Sequence, residues 1–152
     1  MPTSVEPTCG ASLQSADLSR AYLIGASLSG ASLNAADLGH VDLSDANLHG
    51  ADLSDVNLRH ADLSGADLIG AYLNGASLCG ASLCNASLNS ADLIGADLCG
   101  ADLSSANLIG AELSDLTAGE VKWSERTKWE DVRGLDAAVS VPEALKHQLG
   151  LG

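Results

Sequence analysis

The chain has 152 residues, of which 46% are hydrophobic, yet aromatic residues make up only 3% and phenylalanine is absent. A core of this composition has to be built from small and uniform aliphatic side chains. The net charge of -13 argues against binding of nucleic acid through a basic surface, because phosphate contacts need Lys and Arg. No run of 18 apolar residues occurs, so the sequence predicts no membrane-spanning helix.

Residues 1–10 form a short lead-in to the rest of the chain. The lead-in has neither the basic segment nor the apolar stretch of a secretory signal, so a cytoplasmic location is expected. Pro2 and Pro7 cannot donate ladder hydrogen bonds, which disfavours the addition of another strand at this end.

Residues 11–115 consist of a five-residue repeat. A leucine occurs at every fifth position from Leu13 to Leu113, which gives 21 consecutive repeats. The residue two positions before each leucine is alanine, except at Val41 and Val56. The residue just before each leucine is Asp, Asn, Ser, Tyr or Glu, and the two residues after it are mostly small or polar. A repeat of this length takes precedence over local propensity in predicting the fold.

A five-residue apolar period fits neither of the common regular elements. On an α-helix, successive leucines would be rotated by about 140° and would surround the cylinder, and on a flat strand they would alternate between faces. Alanine and leucine can both face inward only if the chain turns a corner in every repeat, and the residues after each leucine favour corners. Four corners of about 90° close a coil of about 20 residues, and such coils stack at about 4.8 Å.

The A-(D/N)-L-x-x unit resembles that of the pentapeptide-repeat family, over the whole of residues 11–115. The resemblance implies an all-β solenoid, a right-handed quadrilateral β-helix of about five to six coils with a short α-helical C-terminal cap. Its structural core would be formed by inward leucines, among them Leu13, Leu33, Leu53, Leu63, Leu73, Leu93 and Leu113.

The pattern decays after residue 115. Residues 116–132 are interpreted as a degenerate final coil, in which Trp123 and Trp129 take the place of leucine. Residues 133–152 are predicted to form a helical cap, with a possible short helix over 134–140. A second helix is predicted over 142–149, where proline comes early, basic residues come late and glycine follows.

The tail resembles the two-helix cap of cyanobacterial and plastid pentapeptide-repeat proteins. The last coil would then be covered by Trp123, Trp129, Leu145 and Leu149. The alternative is that the tail is a dimerisation surface. If a targeting segment has been removed, this resemblance also makes the thylakoid lumen an alternative to the cytoplasm.

Cysteines and histidines recur at the spacing of one coil. Cys79 and Cys99 would lie on adjacent coils within disulfide range, so free thiols and a disulfide are both open. His40 and His60 are also 20 residues apart, but no third ligand converges on them, which favours surface polar residues over a metal site. The sequence shows no zinc spacing, phosphate loop or nucleophile elbow. No catalytic, cofactor-binding or metal residue is therefore predicted.

The expected function is that of a non-enzymatic scaffold that binds an unknown protein partner, without contacts to nucleic acid or membrane. One of the four faces carries a single acid together with Ile69 and Ile109, which makes it a possible interaction face. The resemblance also offers an alternative, a DNA-mimicking regulator of DNA gyrase, a type II topoisomerase. The chain is expected to be a monomer or a weak homodimer that associates through one end of the solenoid.

Overall fold

A computed structural model describes residues 10–136 and 141–150. In these residues the chain winds as a four-sided coil, and each five-residue unit forms one side with a single bridge residue in place of an extended strand. From Ser12 to Asp102, each bridge residue pairs in parallel with the residue 20 positions later, so that four sides make one coil. One of the four ladders runs through Ser12, Ser32, Asp52, Tyr72, Asp92, Glu112 and Arg133.

Backbone hydrogen bonds connect each coil to the next in a regular way. Leu33 donates its N–H to the carbonyl of Asp52 at 2.8 Å, and Asp52 donates its own N–H to the carbonyl of Ala31 at 2.9 Å. Within the corner, Ala36 donates to the carbonyl of Leu33 at 3.0 Å. The same three bonds recur along the solenoid, so the buried backbone polar groups are paired even though no long strand forms.

Each corner depends on the residue two positions after the leucine, which adopts a left-handed backbone conformation. The φ angle is +57° at His40, +57° at Asp45 and +63° at Gly50. Glycine enters this region without steric cost, and Asn and Asp enter it more easily than other residues. This requirement explains why small and polar residues follow each leucine in the sequence.

Leucine and alanine side chains fill the interior. Every leucine of the repeat from Leu28 to Leu113 is buried, together with nearly all the alanines two positions before them. The first three leucines are only partly buried, because a described coil packs against them from one side alone. Of the predicted core residues, Leu13 is therefore only partly buried, whereas Leu33 to Leu113 are enclosed.

The unit after the last leucine repeat carries its large and small residues in exchanged positions. Leu116 occupies the alanine position and Ala118 the leucine position, and both side chains are buried. The ladder continues through Thr117, which pairs with Asp97. A small cavity of about 10 Å³ remains beside this pair, lined only by apolar side chains.

A one-residue insertion at Arg126 displaces the next corner without breaking the ladder. Lys122 pairs with Asp102 at the usual spacing of 20 residues, whereas Lys128 pairs with Asn107 at a spacing of 21. The buried hydroxyl of Thr127 donates to the carbonyl of Leu103 at 2.9 Å and accepts the N–H of Ser124 at 3.0 Å. Thr127 thus satisfies the N–H of Ser124 and gives the Leu103 carbonyl a second donor besides the N–H of Ala106. The N–H of Ser105, which would meet a backbone carbonyl in the other repeats, donates to the hydroxyl of Ser124 at 3.0 Å.

A single short helix, α1, runs over Glu143–Gln148 near the end of the described chain. Pro142 precedes it, Glu143 lies in its first turn, and Lys146 and His147 lie in its last turn, as the sequence predicts. Leu145 is buried in the core cluster, and Leu149 packs against that cluster. Residues 134–136 form a turn instead of helix, and residues 137–140 of the other predicted helix lie outside the described residues.

The exchanged pair at positions 116 and 118 gives a test of the core. Leu116→Ala alone should lower the free energy of unfolding by about 2–5 kcal/mol through cavity formation. Ala118→Leu alone should cost about 1–3 kcal/mol through overpacking. The double variant restores the pattern of the other repeats and should recover most of this loss in a urea titration. If the free-energy losses of the two single variants add up in the double variant, the side chains at positions 116 and 118 do not fill one shared space in the core.

Candidate interaction surface

Aspartates at the bridge positions bind the backbone of their own corner. One oxygen of Asp42 accepts the N–H and the hydroxyl of Ser44, at 3.0 and 2.7 Å. Asp67 accepts the N–H of Ile69 in the same way, at 3.0 Å. Short polar side chains commonly close turns by such bonds. Much of the acidity of the chain therefore serves the corners.

These bonds also change how easily some carboxyls are protonated. Hydrogen bonds from Ser19, first from its hydroxyl and then from its N–H, lower the pKa of Asp17. Bonds from Ser104 lower the pKa of Asp102, aided by Cys84 and by the charge of Lys122. Since the folded pKa lies below the unfolded one, each contribution to stability is present at neutral pH and is lost as the pH falls through the folded pKa.

The charge of the solenoid is distributed in bands along its axis. The first coil, residues 11–30, has one acid and one base and hence no net charge. The second and third coils, residues 31–50 and 51–70, each carry a net charge of -3. The fourth coil, residues 71–90, contains no acidic, basic or histidine residue, and the fifth, residues 91–110, again carries -3. Negative charge is thus interrupted in the middle of the molecule.

Two pairs of large apolar side chains are exposed on the solenoid. Tyr72 is 54% exposed and Ile94 is 40% exposed; both lie on the face centred on Leu73 and Leu93, on adjacent coils. Tyr22 and Ile24 form the second pair, at 79% and 59% exposed, on one side of the first coil.

Ile69 and Ile109, on the face predicted for interaction, are in contrast only partly exposed. Their positions agree with the register of the repeat, but their side chains lie lower on the surface than those of Tyr72 and Ile94. The sequence alone was enough to place Tyr72 and Ile94 on one face, because sides 20 residues apart stack on each other. The sequence did not show how much of each side chain is exposed.

His40 and His60 stack on neighbouring coils at one corner. Their ring centroids are 5.1 Å apart and their planes differ by 24°, a nearly parallel arrangement. The ring of His60 lies over Gly80, where an added Cβ would be 2.5 Å from its Nδ1 atom. Gly80 therefore leaves room for the imidazole. Within residues 10–136 and 141–150, no group of three or more His, Cys, Asp or Glu residues is placed to hold a metal ion.

Three cysteines, Cys79, Cys84 and Cys99, are free thiols in the structure. The Cys79 thiol donates a hydrogen bond to the Oδ2 atom of Asp97 on the next coil, at 2.9 Å. Burial, followed by this bond, raises the pKa of the Cys79 thiol. A raised pKa leaves less thiolate at neutral pH and makes the thiol a poor nucleophile.

The C-terminal end of the solenoid is covered by aromatic and aliphatic side chains. Trp123 donates its indole N–H to the side chain of Gln148 at 2.8 Å, which connects the last coil to α1. Trp129 packs against the core, as do Leu149 and the buried Leu145. An open groove of about 730 Å³ runs beside these residues, lined by Glu125, Arg126, Thr127, Lys128, Trp129, Glu130, Gln148 and Leu149.

None of the helices in the described part of the chain has the length and apolar character needed to cross a bilayer.

The ladders, the 20-residue coil and the leucine-filled interior define an all-β solenoid protein. The family model for pentapeptide repeats matches the chain in eight copies, over residues 11–50, 61–98 and 85–116. These ranges cover more than half of the chain, which therefore belongs to the pentapeptide-repeat family. Such proteins form right-handed quadrilateral β-helices and are generally non-enzymatic scaffolds. No protein of curated function matches the sequence.

Several solved structures are similar to this chain. HetL of the cyanobacterium Nostoc sp. strain PCC 7120, a pentapeptide repeat protein involved in regulating heterocyst differentiation, is 36% identical, with a TM-score of 0.51. The match covers 86% of this chain and 62% of HetL, so the chain spans about three fifths of the length of HetL.

Two further structures come from a cyanobacterium and a plant. Rfr23 of Cyanothece 51142 is 32% identical, with a TM-score of 0.46, over 62% of this chain and 64% of its own. A pentapeptide repeat protein of the Arabidopsis thaliana thylakoid lumen is 30% identical, with a TM-score of 0.45, over 70% of this chain and 68% of its own.

The bond between Cys79 and Asp97 can be tested by thiol reactivity. Asp97→Asn keeps a side-chain oxygen for the N–H of Cys99, which Asp97 accepts at 3.0 Å, but it removes the carboxylate that faces the thiol. Alkylation of Cys79 by iodoacetamide at pH 8, followed by mass spectrometry, should become severalfold faster because the thiolate forms more readily. Asp102→Asn, next to Cys84, is the matched control and should leave Cys79 unchanged. Equal alkylation rates of Cys79 in the parent, Asp97→Asn and Asp102→Asn would show that the carboxylate of Asp97 does not suppress formation of the Cys79 thiolate.

Proposed function

We propose that this protein is a non-enzymatic, rigid scaffold that binds a protein partner through the outer surface of its solenoid. Support comes from an interior occupied by leucine and alanine side chains, which leaves a cavity of only about 10 Å³ next to Ala118. Small-molecule and catalytic sites usually need a concave pocket of several hundred Å³. The described concave space of that size, the open groove of about 730 Å³ beside Trp129 and Gln148, lies on the surface and not in the core. The surface is therefore the part of the solenoid that is suited to recognition.

The observation that carries the proposal is an uncharged belt beside which apolar side chains are exposed. The belt, residues 71–90, lies between two acidic coils; Tyr72 projects from the belt, and Ile94 projects from the adjoining fifth coil. The centre of a protein interface is depleted of charged residues and enriched in aromatic ones. The acidic coils on either side would form a polar rim that favours a partner with basic residues around an apolar centre.

Ile69 and Ile109 remain the second candidate surface. They lie on the least acidic face, and Asp67, which bonds to the N–H of Ile69, is the single acid on it. Their partial burial makes less apolar area accessible than Tyr72 and Ile94 provide.

The alternative function, mimicry of DNA in order to regulate gyrase, has less support. Duplex DNA presents a negative charge about every 1.7 Å along its axis without interruption. Here the uncharged coil of residues 71–90 separates the acidic bands, and the first coil has no net charge. A gyrase supercoiling assay distinguishes the two functions, since a scaffold for another partner should leave the rate of supercoiling unchanged.

The cellular compartment is a further part of the proposal. Free thiols persist mainly in reducing compartments, and the three described cysteines are unpaired. This is compatible with the cytoplasm. The thylakoid lumen, the location of the Arabidopsis protein, is the alternative.

Affinity capture with matched variants tests the scaffold function. The immobilised parent should enrich at least one protein from an extract of the source cells. Tyr72→Asp with Ile94→Asp should reduce this enrichment at least roughly tenfold, because a charge at the centre of an interface is costly to desolvate.

Tyr22→Asp with Ile24→Asp is the control, since it makes the same changes on the first coil. If binding of the partner is lost only in the variant with Ile69→Asp and Ile109→Asp, the contact surface is the least acidic face, which carries these two residues. If no protein is enriched by the parent, the scaffold proposal is wrong. Melting curves of all variants should match that of the parent.

A further inference from the structure

One ladder of the solenoid places an exposed aromatic residue between two carboxylates. Tyr72 pairs with Asp52 on the preceding coil and with Asp92 on the following coil. Neighbouring strands lie about 4.8 Å apart, so each carboxylate belongs to the strand directly beside that of the tyrosine. Tyr72 is 54% exposed, and Asp52 and Asp92 are partly exposed. An aromatic ring with a negative charge on either side therefore faces the solvent.

Each of these two carboxylates uses one oxygen for its own corner. The Oδ1 atom of Asp52 accepts the N–H and the hydroxyl of Ser54, at 3.1 and 2.5 Å. The Oδ1 atom of Asp92 accepts the N–H of Ile94 at 3.1 Å. Within residues 10–136 and 141–150, the Oδ2 atoms of Asp52 and Asp92 accept no hydrogen bond, and neither residue forms a salt bridge. These two oxygens are available to a donor from outside the described chain.

The same ladder contains a carboxylate that already has a cationic partner. Glu112 follows Asp92 in the ladder, and Arg133 follows Glu112. The Nε atom of Arg133 lies 3.4 Å from the Oε2 atom of Glu112. Among the described residues, the chain thus supplies an arginine to the last carboxylate of this ladder but none to Asp52 or Asp92. The contact between Arg133 and Glu112 shows the chemistry that the other two positions would accept.

A guanidinium group fits the arrangement around Tyr72 better than an ammonium group. Guanidinium is planar and stacks on aromatic rings, where the cation is attracted by the ring electrons. It also carries five donors in a fixed fork, which suits it to carboxylates. Asp52 and Asp92 are two strand spacings apart, about 10 Å at the backbone, which leaves room for one planar group that donates in both directions. A lysine ammonium is a strongly hydrated point charge without a flat face.

We propose that Tyr72, Asp52 and Asp92 form an arginine site, which binds the guanidinium of an arginine side chain in a partner protein. Ile94, which is 40% exposed and adjoins Asp92 on the same side of the coil, would contact an apolar residue next to that arginine. The inference rests on the proposed scaffold function, because it names the side chain that a partner inserts at the uncharged belt. It narrows the partner to a protein with an exposed arginine beside an apolar residue.

Titration with small probes tests the arginine site without a partner protein. Addition of N-acetyl-arginine amide should shift the backbone amide NMR signals of residues 52, 72 and 92, with saturation in roughly the millimolar range expected for one exposed contact. N-acetyl-citrulline amide has nearly the same shape without the charge and should give no saturable shift. N-acetyl-lysine amide should bind at least roughly twofold more weakly, because it lacks the planar fork.

Matched variants separate the aromatic contribution from that of the charges. Tyr72→Leu keeps an apolar side chain but removes the ring, and it should weaken binding of the arginine probe at least roughly threefold. Asp52→Asn with Asp92→Asn keeps an oxygen for each corner but removes both charges, and it should weaken binding at least roughly fivefold. Asp42→Asn with Asp62→Asn is the control. It removes the same charge from a ladder in which these two residues are direct neighbours, and it should leave binding unchanged.

Three results would overturn the arginine site. They are the absence of a saturable shift at residues 52, 72 and 92, equal binding of the lysine probe, and an equal loss of affinity in the Asp42 and Asp62 control. The last result would mean that cations are attracted by the overall charge alone.

The arginine site and the scaffold function fail in different experiments. If the probe does not bind but a captured partner is lost with Tyr72→Asp and Ile94→Asp, the arginine site is wrong and the scaffold function stands. If the probe binds as expected but the parent captures no protein, the arginine site stands and the scaffold function is wrong.

Discussion

The whole structure depends on one backbone constraint, a left-handed residue at every fifth position. This residue turns the chain by a quarter of a coil, which keeps both the leucine and the alanine of each repeat inside. It also puts residues 20 apart into one ladder. Twelve of these turns, between Ser15 and Glu120, use residues other than glycine, such as Ala35 at a φ of +56°, and each costs about 1–2 kcal/mol. The ladder bonds and leucine burial of the stacked coils must offset that cost, so a single coil would not be stable alone.

Where the sequence departs from the repeat, the solenoid adjusts locally and keeps its register. Leu116 and Ala118 exchange volumes, so the total side-chain volume of their unit is almost unchanged. The insertion at Arg126 is absorbed because the hydroxyl of Ser124 accepts the N–H of Ser105, in the place that a backbone carbonyl takes in the other repeats. Volume and hydrogen bonding are conserved in these units while the residue types are not. This is why the coil continues beyond the last recognisable leucine repeat, as far as Arg133.

The same local chemistry shapes the surface on which function depends. Aspartate at a bridge position closes its own corner, so acidity accumulates wherever corners use it, as at Asp42 and Asp102. Where tyrosine and serine occupy the bridge positions instead, as at Tyr72, Ser77, Ser82 and Ser87, a coil without charge results. Neutral bands that expose Tyr22 and Tyr72 are therefore distinct from the acidic bands next to them. Recognition by this protein would be determined by which coils are neutral as much as by its total charge.

The sequence by itself determined the coil, the inward leucines and the corners, because a strict five-residue period leaves no other way to bury both apolar positions. It also indicated a helix over 142–149, from the early proline and the late basic residues, and the structure has this helix over Glu143–Gln148. It could not give the exposure of outward residues. Ile69 and Ile94 occupy equivalent positions in their repeats, yet only Ile94 is exposed. Exposure depends on the side chains of neighbouring coils and corners, which are 20 residues away along the chain. The sequence likewise left a disulfide and separate thiols open at Cys79; in the structure this thiol is free and donates a hydrogen bond to Asp97 on the next coil, a contact that only the tertiary structure shows.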